Sequence, residues 1–141
     1  MLEPFHGYFQ EIDLPGPLIV RAEQLCETFA QAIQGAPNRI FVNDFFYEGA
    51  RRYSSLWLFT ERHIIEVKNF VVQQQLDFTR LADLNYVELI RSDLLPFDPA
   101  GRETTLHAQA KFKEGLHANF SATGSNCRHL YDLVLTYLMP R

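Results

Sequence analysis

The sequence predicts an α+β fold: a leading helix, one strongly bent antiparallel sheet of about seven short strands, and a closing helix. Three observations carry that expectation. The stretch Tyr53–Phe70 holds two runs rich in β-branched and aromatic residues, Ser54–Phe59 and His63–Lys68, on either side of the polar turn Thr60-Glu61-Arg62. Thr105–Thr123 alternates apolar and polar residues on both sides of a three-residue loop ending in Gly115. Leu18–Gln34 and the segment after Gly124 instead repeat apolar residues every three or four positions, the period of a helix with one buried face.

Taken in order, Met1–Pro17 mixes Phe5, Tyr8 and Phe9 with Pro4, Gly7, Pro15, Gly16 and Pro17. Proline removes a donor and restricts the residue before it, so this segment reads as an extended arm whose aromatics dock on a body. In Leu18–Gln34, Ala22, Leu25, Cys26, Phe29 and Ile33 form the apolar stripe. Pro17 suits the first turn and Gly35-Ala36-Pro37 stops the helix. Arg39–Tyr47 reads as a strand interrupted at Asn43-Asp44 by a bulge or turn, and Glu48–Arg52 as a polar loop.

In the first run of the central hairpin Leu56 and Leu58 face one way while Trp57 and Phe59 face the other. Both faces are apolar, which places this strand centrally. Phe70–Phe78, with Gln73, Gln74 and Gln75, has the polarity of an edge strand. Ala82–Arg91 fits a strand through Val87 and Leu89, or a helix through Leu81, Leu84 and Glu88; strand is favoured. Pro96 and Pro99 make Ser92–Arg102 a loop.

In Thr105–Thr123, pairing Phe112 with Leu116 sets Ala108 opposite Phe120 and Leu106 opposite Ala122, with Gly115 supplying a positive φ. Ser125 or Asn126 is the expected N-cap of the last helix. Its apolar face, from Cys127 through Leu130 and Val134 to Leu138, must be buried against the sheet.

The whole chain sets further bounds. At 141 residues with 47% hydrophobic and 21% charged residues, it is expected to form one domain over residues 18–141, preceded by the arm. A net charge of −4 argues against broad nucleic-acid or anionic-membrane binding, which needs a concentrated positive field. Cys26 and Cys127 fall on the two predicted helices without metal-ligand spacing. They read as free buried thiols, with a bridge between the helices left open. The early acidic residues and prolines leave no signal-peptide stretch, no window is long and apolar enough to span a bilayer, and a cytoplasmic location is expected.

This order of elements resembles a pleckstrin-homology-like domain of the bacterial kind, over roughly Asn38 to Leu138. Ser55–Val67 is similar to a strand, Thr-x-Arg turn, strand hairpin; Leu76–Leu89 to a strand entered through a short Leu-x-Asp segment; and Ala122–Leu138 to a final strand-to-helix passage. The resemblance implies a half-open barrel plugged at one end by the last helix. The leading helix lies outside its common core. It also implies lysines and arginines on the first two strands in members that bind phosphoinositides. Here Ile40–Ser55 offers only Arg51 and Arg52, with Asp44 and Glu48 beside them.

Little in the sequence points to catalysis. In the register above, His107 and His117 lie about 13 Å apart along the ladder, too far to share one zinc. His6, His63 and His129 have no ligand spacing. The carboxylates Asp77, Asp83, Glu88 and Asp93 form no acid–base pair, and the glycines are scattered as turn residues. No enzyme activity, cofactor or metal is expected.

The leading expectation is an interaction module that binds a protein partner or its own copy, forming a dimer, through Phe45, Phe46, Tyr47, Phe5, Tyr8 and Phe9. A second is binding of phosphate or anionic lipid through Arg51 and Arg52. A third is a cone-shaped ligand-binding or enzyme fold with a pocket lined by Trp57, Tyr86 and a histidine, and a fourth is a small acidic secretion chaperone.

Overall fold

The computed structural model describes residues 3–32, 37–48, 50–72, 75–93 and 104–139. Two helices come first, α1 (Glu3–Glu11) and α2 (Gly16–Ala32). Seven strands follow: β1 (Arg39–Tyr47), β2 (Ala50–Phe59), β3 (His63–Lys68), β4 (Gln75–Arg80), β5 (Leu84–Asp93), β6 (Thr104–Phe112) and β7 (His117–Thr123). The terminal helix α3 (Asn126–Leu133) continues into a π-helical turn, Val134–Leu138. The antiparallel strands form two sheets, ordered β1-β2-β3-β4 and β5-β6-β7. The α+β class and the count of seven strands agree with the sequence. The single continuous sheet does not.

The chain divides into two compact units, Met1–Val42 with Ser54–Thr79 and Asn43–Tyr53 with Arg80–Arg141. In the first unit the expected extended arm is a helix. Pro4 falls in the first turn of α1, where its missing N–H is no loss. Asp13, at φ 55, ends the helix: Leu14 N–H donates to the Phe9 carbonyl and Asp13 N–H to that of Gln10. This is the paired 6→1 and 5→2 bonding of a Schellman cap, and Phe9 and Leu14, the positions such a cap brings together, are both buried. Phe9 is thus a core side chain, 0% exposed, and presents no contact surface. Tyr8 is docked as well. Its hydroxyl accepts from the Val42 N–H at 2.8 Å, and its ring stacks on Phe41 at 6.5 Å.

Helix α2 buries Ala22, Leu25, Cys26 and Phe29 of the stripe read from the sequence, with Ala30 beside them; the stripe's Ile33, and most of the expected stop after Gln34, lie outside the described residues. The hairpin of β2 and β3 has Leu56 opposite Val67, Leu58 opposite Ile65 and Phe59 opposite Ile64. Thr60 closes its turn: the side-chain oxygen accepts from the Arg62 and His63 N–H groups, and the backbone N–H donates to the His63 carbonyl. Leu56, Trp57, Leu58 and Phe59 are all buried, as a strand apolar on both faces requires. β4 lies at the edge of its sheet, where the sequence placed an edge strand, although Phe70 belongs to the preceding turn and to the core.

In the second unit β6 and β7 pair in the expected register, Leu106 with Ala122 and Ala108 with Phe120. Glu114 as well as Gly115 takes a positive φ in the loop between them. The stretch that fitted helix or strand is both in turn: one 3₁₀ turn, Leu81–Asp83, and then β5. The Arg80 guanidinium grips the Asp83 carboxylate at 3.2 and 3.3 Å across that turn. The turn redirects the chain, so that β5 pairs with β6 and a second sheet begins. Helix α3 lies on β6 and β7 and the π turn reaches β5, burying Leu130, Leu133, Val134 and Leu138. Most of the expected loop Ser92–Arg102 lies outside the described residues.

Candidate functional site

The polar centre of the second unit grows from two residues that the sequence marks as an interruption. β1 runs through Asn43 and Asp44 without a break, because both side chains find partners far along the chain. Asn43, 6% exposed, donates from Nδ2 to the Asn119 carbonyl at 3.2 Å and accepts at Oδ1 from the Ser121 N–H at 3.2 Å. Asp44, 0% exposed, accepts at Oδ1 from the Thr123 N–H at 3.0 Å and from Asn126 Nδ2 at 2.8 Å. Its Oδ2 accepts from the Thr123 hydroxyl at 2.5 Å, and Arg51 Nε lies 3.3 Å away.

Residues 119, 121 and 123 share one side of β7, an outer strand of its sheet. Side chains from β1 therefore take backbone groups that a neighbouring strand would otherwise pair. Burial pushes the Asp44 carboxyl above its ordinary range, against the opposing pull of Asn126, Thr123 and Arg51. Each carboxylate oxygen meets two donor groups, which tie β1 to β2, β7 and α3. Asn126 spends its amide on Asp44 and does not cap α3, and Ser125, at the N-cap position, makes no side-chain cap bond either.

The remaining residues singled out from sequence scatter. Phe45 and Phe46 are half-buried, and Tyr47 is 59% exposed at the end of β1. Phe5 is half-buried on α1. Arg51 and Arg52 belong to β2 rather than a loop, so the two neighbouring side chains point to opposite faces. Arg51 faces Asp44 and sits over the Phe46 ring at 6.0 Å, while Arg52 is exposed. One phosphate clasped by both is not a geometry that this strand offers.

Trp57 is buried on β2, whereas Tyr86 is 49% exposed on β5. His107 pairs with Ser121 and His117 with Lys111, the separation read from sequence. His6 bonds Glu23 at 2.6 Å. Among the described residues, no three His, Cys, Asp or Glu side chains come together in a way that could hold a metal ion. Cys26 and Cys127 are buried thiols that form no disulfide, and burial, with Glu23 and Glu27 adding to it, pushes the Cys26 thiol up to about 12. No helix among the described residues is long and apolar enough to cross a membrane.

What sequence reasoning missed is the exposure of β5. This ten-residue strand ends its sheet, and none of Leu84–Arg91 is buried. Tyr86, Leu89 and Ile90 are 49, 44 and 60% exposed. The available signal was apolar residues at both parities, Tyr86 and Ile90 on one and Val87 and Leu89 on the other. In β2 the same pattern marks a central strand; in β5 it marks an exposed one.

No protein-family model matches this chain, and no curated protein matches it. Among solved structures, it is similar to the C-terminal domain of an unknown protein from Leishmania infantum, with a TM-score of 0.50 and 8% identity over 83% of this chain and 97% of that one. At that identity the likeness speaks to fold alone.

Proposed function

We propose that the chain is a non-catalytic interaction module of pleckstrin-homology-like design whose partner is a polypeptide. The observation that carries this reading is β5: an outer strand on which Tyr86, Leu89 and Ile90 stand in solvent. Exposed apolar side chains gathered on one sheet edge are a usual mark of a protein-binding surface. The buried acid of the second unit points the same way, since Asp44 is fully occupied in holding β1, β2, β7 and α3 together.

The family resemblance draws support from all three stretches that suggested it. Ser55–Val67 folds as a hairpin, Leu76–Leu89 as strand, short turn and strand, and Ala122–Leu138 as a strand followed by a helix. Phosphate binding through Arg51 and Arg52 has less behind it, given their opposite directions on β2 and the Asp44 carboxylate beside one of them.

The test places a photo-cross-linking residue at Tyr86 in one preparation and at Tyr47 in another. Polypeptide adducts at Tyr86, lost in an Ile90→Lys background, are the expected result. Adducts at neither position, together with binding to anionic vesicles that falls with salt and with Arg52→Ala, would replace this reading by the lipid one.

A further inference from the structure

We draw no further inference here: the strongest candidate, the sheet face on which Tyr86 and Ile90 of β5 stand opposite Lys111 and His107 of β6, is a surface patch of mixed chemistry, and nothing in the structure shows what covers it.

Discussion

β7 and β5 are the two outer strands of the same three-stranded sheet, and what stands along them differs. Along β7, the Asn119 carbonyl and the Ser121 and Thr123 N–H groups are taken by Asn43 and Asp44, two buried side chains standing in for a neighbouring strand. Along β5, the side chains of Tyr86, Leu89 and Ile90 remain in solvent. An outer strand is a template for further pairing unless something covers it. Where the cover is a buried polar network, the edge becomes part of what holds the fold. Where the apolar side chains of an outer strand stand in solvent instead, little stability depends on them.

The sharpest way to break the contrast is at Asp44. Asp44→Leu strips a partner from the Thr123 N–H and hydroxyl, from the Asn126 amide and from Arg51. Breaking a buried, hydrogen-bonded charge pair costs about 3–5 kcal/mol. That loss should appear as a lower urea midpoint at an unchanged m-value. Asp44→Asn keeps one acceptor oxygen and removes a charge that burial disfavours, so its loss should be clearly smaller. An Asp44→Leu protein as stable as wild type would mean that β7 needs no closing.

Asn43→Ala comes next. It frees one donor and one acceptor of β7 and should cost about 1–3 kcal/mol, with faster hydrogen exchange at the Ser121 amide. Should that amide exchange no faster, the side chain is not what closes the edge.

These two residues also show where sequence reading stops. Hairpin register was legible in full for β6 and β7, because alternation and loop length are local. The turn at Thr60 was legible for the same reason. Asn43 and Asp44, by contrast, look like chain breakers, since their partners Asn119, Ser121, Thr123 and Asn126 lie more than seventy residues away. The arm became α1 because Pro4 sits in a first turn and an aspartate at positive φ supplies the stop that glycine usually gives. The division into two sheets falls at the 3₁₀ turn Leu81–Asp83, whose residues carry no turn signal as strong as a glycine or proline. On β5, apolar residues at both parities could not separate a buried strand from a bare one, because a pattern reports which side chains are apolar and not what lies against them.

A smaller effect sharpens the contrast at the other sheet. β4 is also an outer strand, and there Lys68 Nζ meets Asp77 at 2.7 Å with both side chains well exposed. Pairs of that kind contribute up to about 1 kcal/mol. Asp77→Asn should lower the urea midpoint only slightly, and less at high salt. A loss as large as that of Asn43→Ala would mean that solvent-exposed charge closes an edge as well as a buried amide does.

The smallest expected effect falls on β5 itself. Tyr86→Ser with Ile90→Lys removes far more apolar surface than Asn43→Ala. Nevertheless, exposed substitutions of this kind usually shift stability by about 0.5 kcal/mol or less. In the core the ranking reverses: Leu58→Ala, at a fully buried position of β2, should cost about 2–5 kcal/mol. Thermal unfolding of the three variants side by side reads the comparison directly. An Ile90→Lys protein that keeps the wild-type Tm while losing the cross-links formed from position 86 separates binding from folding on that strand. A doubly substituted β5 that unfolds with Leu58→Ala would show that Tyr86 and Ile90 are covered in the folded chain, and β5 would then be closed like β7, only by other means.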